Sequence, residues 1–402
     1  MRSLFMSGLA GFLVLGLFFK ICLTENMESE ENRKGKLLSI FNIIQFENGP
    51  CAGSESKNGT CYTKEECKTR SGTASGTCAS GYGVCCIFSK TCGQQSSENC
   101  TYFESGRNLA GSCELKVCKA DSNICQLRLD FDSFVISGPS TSATSYAKTV
   151  AGSVSAGATN EIATKTQCLT DLFSVTSPGN PAPPSICGSN SGEHMYVDTS
   201  DACNTLTFQL GSTGIGTTIA NRQWSIKIVQ LACDDENRAP PGCTQYYYGL
   251  NAGTIQTFNY QNEQHLANQR QNVCIRQERG QCQICYAPVA ETDFGISSVI
   301  DTMGFIGASM CCGYGEDGAG MSGFDCLVIP GAQNVMKTGI DAGSQFCGLF
   351  LGEMSPTTTH KTICSSQTPF SVLFLSDNFE FVDEAGLKGS TGFKLAFQQN
   401  KC

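Results

Sequence analysis

The chain has 402 residues, a formal net charge of −9 at pH 7, 26 cysteines and three histidines. Because it is acidic and lacks a run of five Lys or Arg, we expect no nucleic-acid partner. So many cysteines do not persist as free thiols, so the count predicts an oxidising compartment and a fold held by disulfides. The length predicts two or three domains.

The N-terminus predicts a signal peptide. Arg2 precedes an apolar run, Leu4–Phe19, which is short for a membrane span and suits the apolar region of a signal. Small residues before Glu25 suit cleavage there, so we predict a signal peptide over residues 1–24 and a secreted, extracellular protein. The alternative is an uncleaved signal anchor. Because no later segment has eighteen unbroken apolar residues, we expect no membrane span after signal removal.

The next segments change from a tail to a cysteine-rich unit. Residues 25–48 are predicted to be a charged tail that ends in a short apolar segment, which is a helix or a strand docked on a neighbouring domain. Residues 49–88 contain six cysteines and few large apolar side chains. So small a segment cannot bury enough apolar surface, so three disulfides must hold it, and spacing alone leaves fifteen connectivities open.

Two N-glycosylation sequons lie in this part of the chain, at Asn58 and Asn99. If the chain enters the secretory pathway, both are expected on exposed loops. Because such short motifs also arise by chance, they support secretion without proving it.

After Cys92 the composition changes to strands. Leu127–Phe131, Leu206–Leu210 and Trp224–Ile228 alternate apolar and polar side chains with a period of two. Clusters of Gly, Ser, Asn and Pro separate them, which is typical of the half-buried strands of a β-sandwich. Residues 137–165 are rich in Ser, Thr, Ala and Gly and predict a long loop or flexible insertion.

The second half of the chain repeats features of the first. Cys168–Cys187 and Cys326–Cys347 enclose segments of similar length, and each is followed by a strand run and a final alternating strand. We therefore predict one module over 89–232 and a second over 242–402. The charged, proline-bearing residues 233–241 predict a linker.

The six-cysteine unit resembles the clip domains of arthropod extracellular proteins, through its pattern Gly-x-Cys, five residues, Cys, then Gly-x-x-x-Gly-Val-Cys-Cys. A clip domain usually precedes a serine protease domain, and none follows here. The resemblance implies three bridges: Cys51–Cys85, Cys61–Cys78 and Cys67–Cys86.

The two modules resemble CUB domains. The first has Cys92-Gly93, a second cysteine at Cys113, a Leu-x-Leu-x-Phe strand and Cys-x-x-Asp at Cys168, and the second ends in Ser376-Asp377 and Gly392-Phe393-x-Leu-x-Phe. The chain thus resembles arthropod secreted CUB domain-containing proteins. This implies an all-β fold of two CUB-like β-sandwich (jelly-roll) domains preceded by a small disulfide-rich clip-like module. It also implies four bridges: Cys92–Cys113, Cys168–Cys187, Cys243–Cys274 and Cys326–Cys347.

The sequence carries no recognisable catalytic constellation. His194, His265 and His360 are scattered, and Gly-x-Ser-x-Gly, Gly-Asp-Ser-Gly-Gly and His-Glu-x-x-His do not occur. We therefore expect no catalytic residues and no enzyme.

Two cysteine pairs, Cys282/Cys285 and Cys311/Cys312, have a composition that also suits a four-thiolate zinc site. Because an oxidising compartment competes for the same thiols, we expect the two pairs to be bridged to each other. No thioredoxin-like context surrounds the Cys-x-x-Cys, which disfavours a redox role.

Calcium is the one cofactor that the resemblance suggests. Many CUB domains place a Glu, the Asp of Cys-x-x-Asp and the Asp of Ser-Asp around one Ca²⁺, which needs six or more oxygen ligands. In the first module only Asp171 matches. In the second module Asp377 matches, with Asn378 or Glu380 to assist, while Asp325 precedes its cysteine. A calcium site is thus expected, if anywhere, in the second module; the alternative is that Asp377 caps a turn.

Tyr246, Tyr247 and Tyr248 are consecutive, so their rings alternate between the two faces of any strand. Exposed tyrosines favour contact surfaces, which makes these three the candidate binding residues. The alternative is a strand edge with one ring in the core.

The leading hypothesis is a secreted, non-enzymatic binding protein whose CUB domains recognise proteins or glycans. The alternative is a regulatory, non-catalytic component of an extracellular clip-protease or immune cascade. Twenty-five cysteines follow the predicted signal, so one is free or pairs with another chain. Cys402, the last residue, is the candidate, and a disulfide-linked dimer is the corresponding expectation.

Overall fold

The structure is a computed structural model. It describes residues 45–54, 57–106, 109–139, 162–163, 166–211, 222–262, 264–296, 311–312, 325–334, 343–352, 359–377, 380–381 and 390–402. The predicted signal peptide, nearly all of the 25–48 tail and most of the 137–165 insertion lie outside these residues.

The six-cysteine unit forms a small sheet around one short helix. Its elements are β1 (Pro50–Ala52), β2 (Asn58–Tyr62), α1 (Lys64–Thr69), β3 (Thr73–Cys78) and β4 (Gly83–Lys90), with a 3-10 turn at Ala79–Gly81. The helix begins after Thr63, whose hydroxyl oxygen accepts the Glu66 N–H at 3.2 Å while the Glu66 carboxylate accepts the Thr63 N–H at 3.1 Å. This reciprocal cap satisfies two backbone donors of the first turn.

Disulfide bonds, rather than a large hydrophobic core, stabilise this unit. Tyr62 and Phe88 pack edge to face, with ring centroids 6.1 Å apart, beside the Cys67–Cys86 bridge. So small an apolar cluster does not hold a fold without further support. The three bridges are those that the clip resemblance implies: Cys51–Cys85, Cys61–Cys78 and Cys67–Cys86.

The following residues form a first β-sandwich. This region contains β5 (Gln94–Ser96), β6 (Thr101–Glu104), β7 (Gly111–Val117), β8 (Ile124–Val135), β9 (Ile162–Ala163), β10 (Asp171–Thr176), β11 (His194–Asp198), β12 (Asn204–Leu210) and β13 (Gln223–Ala232), of which all but β9 belong to the sandwich. One sheet has the order β1-β2-β4-β6-β13-β8-β11, with β3 beside β4, and the facing sheet has the order β10-β12-β7-β5.

Inward-facing aromatic side chains fill the space between these two sheets. Phe131, Phe173, Phe208 and Trp224 are each at most 1% exposed, and Phe208 stacks on Trp224 with ring centroids 3.8 Å apart. The alternating strands predicted from the sequence lie within β8, β12 and β13, so that prediction is confirmed.

The six-cysteine unit and the first sandwich share a sheet. β4 pairs with β6 in parallel, with Phe88 opposite Thr101 and Lys90 opposite Phe103. The boundary drawn between residues 88 and 89 therefore falls inside a strand. A period-two pattern records which face of a strand is buried and not which strand lies beside it, which is why the sequence pattern did not indicate this pairing.

The remaining residues form a second β-sandwich. Its strands are β14 (Gln245–Tyr247), β15 (Ala252–Gln256), β16 (Arg270–Ile275), β17 (Gln281–Pro288), β18 (Phe294–Gly295), β19 (Cys326–Val328), β20 (Ala332–Asn334), β21 (Gln345–Phe346), β22 (Ile363–Ser365), β23 (Phe370–Leu375), β24 (Glu380–Phe381) and β25 (Gly392–Lys401), with a 3-10 turn at Tyr260–Asn262. A five-stranded sheet, β14-β16-β23-β19-β21, faces a sheet of order β15-β25-β17-β22-β20, with β18 beside β25. β24 pairs with β9.

Its core is built from the alternating strands that the sequence predicted. Phe393, Leu395 and Phe397 on β25 face Val372 and Phe374 on β23, and all five are at most 2% exposed. The nearly all-β architecture, with CUB-like sandwiches and a disulfide-rich unit, agrees with the predicted fold class.

The disulfides of the second sandwich differ from two expectations. The implied Cys326–Cys347 bridge is wrong: Cys326 pairs with Cys312 and Cys347 with Cys311. Side chains of adjacent residues point in different directions. Cys311 and Cys312 therefore form disulfides with two different cysteines. The other three implied bridges form as expected: Cys92–Cys113, Cys168–Cys187 and Cys243–Cys274.

The pair Cys282/Cys285 does not bridge to Cys311/Cys312, which corrects the second expectation. Cys285 lies directly opposite Cys364 in the β17–β22 register and pairs with it. Cys282 pairs with Cys402, because β17 and β25 bring Gln281 opposite Lys401. With these thiols oxidised, the zinc-site alternative has no ligands left in Cys282 and Cys285.

Cys402 is therefore not the odd cysteine. In the described part of the chain, the unbridged thiol is Cys100, which is 9% exposed and donates to the Asn58 carbonyl oxygen at 3.3 Å. Burial raises the pKa of this thiol. A buried, protonated thiol does not support the expected disulfide-linked dimer.

Residues 233–241 are packed rather than extended. Cys233 is bridged to Cys125, and the buried Ala239 donates its N–H to the Gln126 side-chain oxygen at 2.8 Å. These contacts anchor the predicted linker on the first sandwich.

Candidate functional site

The three tyrosines lie where the second sandwich contacts the first. The Tyr196 N–H on β11 donates to the Thr244 carbonyl oxygen at 2.8 Å, so β14 covers the edge of the first sandwich's sheet. The Tyr246 ring packs edge-on against Tyr196, with centroids 6.1 Å apart. Tyr246 is 7% exposed, and burial raises the pKa of Tyr247. These rings therefore contact the chain itself, which corrects their assignment as an exposed binding surface.

An arginine from the first sandwich completes this contact. Arg128 donates to the Tyr248 hydroxyl at 3.0 Å and to the Asp130 carboxylate at 2.7 Å. Its guanidinium carbon lies 5.7 Å from the Tyr196 ring centroid and 5.8 Å from that of Tyr248. Cation–π contacts of a partly buried guanidinium stabilise such an interface.

A buried polar network lies in the same interface. Glu193 accepts hydrogen bonds from the side-chain amides of Gln245 and Gln256, each at 2.7 Å. Burial raises the pKa of Glu193 to about 6, although both amides and the nearby Lys394 oppose the shift. His194 Nε2 accepts the Tyr246 N–H at 3.0 Å, and burial lowers the pKa of His194 to about 4. The interface therefore holds a neutral histidine at neutral pH.

The contact leaves an open cleft of about 680 Å³ beside it. Its floor is the outer face of the five-stranded sheet, where Asn272, Leu373 and Val328 lie in one cross-strand row. Pro181–Pro184 of the first sandwich form the opposite wall. This wall is anchored because the Gln269 side chain donates to the Ser185 carbonyl oxygen at 2.9 Å. Both sandwiches therefore build the cleft.

Polar groups line the rim of this cleft. Asn268 and Arg270 are exposed, and among the described residues Arg270 forms no ion pair. Across from them the Asp198 carboxylate accepts the Gln126 amide at 2.8 Å. Apolar floor positions combined with hydrogen-bond donors at the rim are typical of sites for an extended peptide segment.

No pattern in the sequence indicates this cleft. Its walls come from residues far apart in the chain, which no local pattern connects. The available signal was the Pro-Ala-Pro-Pro run at 181–184, whose restricted backbone makes a rigid wall.

Asp171, the calcium-type position of the first sandwich, is occupied by a guanidinium. Arg222 donates to both Asp171 carboxylate oxygens, at 2.7 and 2.8 Å, and the backbone N–H groups of Ser137 and Gly211 donate to them at 2.9 and 3.0 Å. Burial raises the pKa of Asp171, but the hydrogen bonds from Arg222, Ser137 and Gly211 and the Arg222 charge together outweigh burial and hold the pKa below its usual value. A cation already sits against this carboxylate, so these residues do not fit Ca²⁺.

Asp325 and Asp377 adjoin each other in the second sandwich. Asp325 is buried, and its Oδ1 accepts the Asp377 N–H at 2.8 Å, while His265 Nε2 lies 3.4 Å from its Oδ2. Within the described ranges, no group of three or more His, Cys, Asp or Glu side chains has metal-binding geometry. Asn378 and the Glu380 side chain lie outside those ranges, so calcium in the second sandwich stays a prediction.

The histidines have structural partners. His360 Nδ1 accepts the Leu351 N–H at 3.0 Å and its Nε2 lies 2.8 Å from the Glu291 carbonyl oxygen. His265 is fully buried, and burial lowers its pKa to about 4.

The longest described helix, α1, has six residues, and none of the described helices is long and apolar enough to cross a membrane.

Comparison with known proteins connects this geometry to a family. The model of the animal CUB domain matches residues 240–400, which is the second sandwich. None of the curated proteins that were compared matches the chain. The match over 240–400 carries the assignment of a CUB domain, a non-catalytic module typical of extracellular proteins.

Similar solved structures include CUB-containing chains. The CUB1-EGF-CUB2 domains of rat MASP-1 are 13% identical, with a TM-score of 0.22 and coverage of 76% of this chain and 99% of that chain. The corresponding region of human MASP-1/3 is 12% identical, with a TM-score of 0.22 and coverage of 75% and 100%. The full extracellular region of zebrafish Gpr126/Adgrg6 is 11% identical, with a TM-score of 0.23 and coverage of 78% and 34%.

Proposed function

Because residues 240–400 form a CUB domain, we propose that this protein is a secreted, non-enzymatic binding protein, and that the cleft between its sandwiches holds an extended segment of an extracellular partner protein. The observation that carries this proposal is the cleft of about 680 Å³ with one wall from each sandwich. A volume of this size suits a short peptide segment rather than a whole domain face.

The lining favours a peptide over a sugar. Leu373 and Val328 offer apolar floor positions, and Pro181–Pro184 offer a rigid apolar wall. Asn268 and Arg270 supply donors at the rim for carbonyl or carboxylate oxygens. An extended chain presents alternating side chains and carbonyl groups that match this arrangement.

Selection from a displayed library of random linear peptides tests the proposal. We expect enriched peptides that bind the intact protein and lose at least tenfold in affinity with Leu373→Asp or Arg270→Glu. Leu250→Asp is the matched control, because Leu250 is 44% exposed and lies outside the cleft lining. Equal binding to all variants, or binding only to arrayed glycans, contradicts the cleft proposal.

The alternative, a regulatory role in a clip-protease cascade, has one observation in its favour. The six-cysteine unit has the three bridges that a clip resemblance implies. Two contacts argue against a unit that docks independently. β4 pairs with β6 of the first sandwich, and Lys57 Nζ lies 2.5 Å from Glu104 Oε1. Binding of clip-domain proteases to the intact protein tests this alternative. It is favoured if Tyr82→Ala, a change at an exposed residue of the unit, abolishes binding while Leu373→Asp does not.

A further inference from the structure

The two sequons lie side by side in the fold but have different surroundings. Asn58 is the first residue of β2 and is exposed. Its backbone N–H donates to the Tyr102 hydroxyl at 2.8 Å, so the main chain is fixed while the side chain faces outward. Asn58 and Asn99 both line one open cavity of about 720 Å³ between the six-cysteine unit and the first sandwich. Space alone therefore does not distinguish the two sites.

Hydrogen bonding does distinguish them. The Asn99 side-chain Nδ2 donates to the Gln230 carbonyl oxygen at 3.0 Å, and its Oδ1 accepts the Gln230 N–H at 3.0 Å. The side chain thus pairs with β13 as a neighbouring strand would. Because Nδ2 is the atom that a glycan would substitute, a sugar at Asn99 would lie against β13.

The hydroxyl of the second sequon is also internal. Thr101 is fully buried, its hydroxyl donates to the Glu98 carbonyl oxygen at 2.9 Å, and it lies 2.6 Å from the Ser96 hydroxyl. These contacts join β6 and β13 to the loop that precedes β6. The residues that make them are Asn99, Thr101 and Gln230. A glycan on Asn99 Nδ2 would replace one of its two hydrogens, place a sugar against Gln230 and disturb this pairing.

From these contacts we propose that Asn58 carries an N-linked glycan and that Asn99 is unmodified in the folded, secreted protein. The donor is a lipid-linked oligosaccharyl pyrophosphate. The bond from Asn58 Nδ2 to the first sugar carbon forms and the bond from that carbon to the pyrophosphate oxygen breaks. The proton lost from Nδ2 leaves with the lipid pyrophosphate. The inference rests on the secretion that forms part of the proposed function.

Site mapping on secreted protein tests the inference. The full chain, with its own residues 1–24, is expressed in eukaryotic cells, and the medium fraction is deglycosylated enzymatically in ¹⁸O-labelled water. We expect the ¹⁸O-labelled aspartate at position 58 and unlabelled asparagine at 99. Asn58→Gln removes the mass shift of one glycan, Thr60→Ser keeps it, and Asn99→Gln keeps it while lowering the melting temperature through loss of the Gln230 pairing.

The outcomes separate this inference from the proposed function. Secreted protein with label at position 99, or without label at position 58, overturns the glycan assignment and leaves secretion intact. Protein retained in the cytosol without a glycan overturns both. Because the wild-type chain alone gives the labelling result, the test does not depend on whether Asn99→Gln folds.

Discussion

Asp171 and Arg222 form an ion pair with side chains that are 0% and 4% exposed. Arg222 also donates to the carbonyl oxygens of Leu109 and Gly211, at 2.8 and 2.9 Å. The pair thereby holds several loops at one end of the first sandwich. Asp171 is the one residue of the first module that matches the CUB calcium pattern, and this guanidinium holds its carboxylate.

Removal of the arginine is expected to be costly. Arg222→Met leaves the Asp171 carboxylate buried without its partner, and we expect a loss of about 3–5 kcal/mol in the free energy of unfolding. Denaturant unfolding measures it. Lys119→Met is the matched control, since its partner Asp201 is exposed and little change is expected. A loss for Arg222→Met no larger than for the control, or full rescue by Ca²⁺, contradicts this role.

Two buried histidines predict acid sensitivity. Burial lowers the pKa of both His194 and His265 from 6.5 to about 4. The unfolded chain therefore binds protons more tightly, so the stability they contribute is complete above pH 6.5 and is lost as the pH falls toward 4. Glu193, with its pKa raised from 4.5 to about 6, acts in the opposite direction and stabilises the fold at lower pH.

The melting temperature is expected to fall between pH 6.5 and pH 4, because two histidines with larger shifts outweigh one glutamate. Thermal unfolding across this range measures the slope, and Glu193→Gln is expected to steepen it. A melting temperature that stays level or rises on acidification would show that these side chains are not buried as described.

At the scale of elements, the sequence predicts strands better than it predicts their partners. The period-two patterns of β8, β12, β13 and β25 record which face of each strand is buried, and that is a local property. The pairing of β4 with β6 and the partners of Cys311 and Cys312 depend on contacts between distant segments. Local patterns carry no information about them.

A disulfide map tests the element-scale account. We expect cross-linked peptides for Cys312–Cys326, Cys311–Cys347 and Cys282–Cys402, and one alkylated thiol at Cys100 after unfolding without reductant. Peptide mass spectrometry of native protein measures them. Recovery of Cys326–Cys347, or of Cys402 as the alkylated residue, would refute this connectivity.

At the scale of the molecule, the core of the first sandwich includes side chains from the second half of the chain. Phe258 and Leu266 follow the second sandwich's strand β15 in sequence, yet they pack in the first sandwich's core at 1% exposure each. Asn259 adds polar contacts: its N–H donates to the Asn190 side chain at 2.7 Å, and its side-chain oxygen accepts the Ser189 N–H at 3.0 Å. The sequence predicted a linker at 233–241 because the charges and prolines there do not reveal that the two sandwiches pack together.

We therefore expect the two sandwiches to unfold together. Phe258→Ala, which leaves a cavity in the first core, is expected to lower the free energy of unfolding by about 3–5 kcal/mol and to keep a single calorimetric transition. Two separate transitions in the unaltered protein, or a Phe258→Ala effect limited to one of them, would show that the sandwiches are independent.

Photocross-linking of a selected peptide tests most directly whether both sandwiches build the binding surface. A peptide with a photoreactive side chain, bound to the intact protein, is irradiated and its attachment sites are mapped. We expect cross-links both to the 181–184 wall and to the floor around Asn272 and Leu373. Cross-links on one sandwich alone, or on residues 49–88, would contradict it.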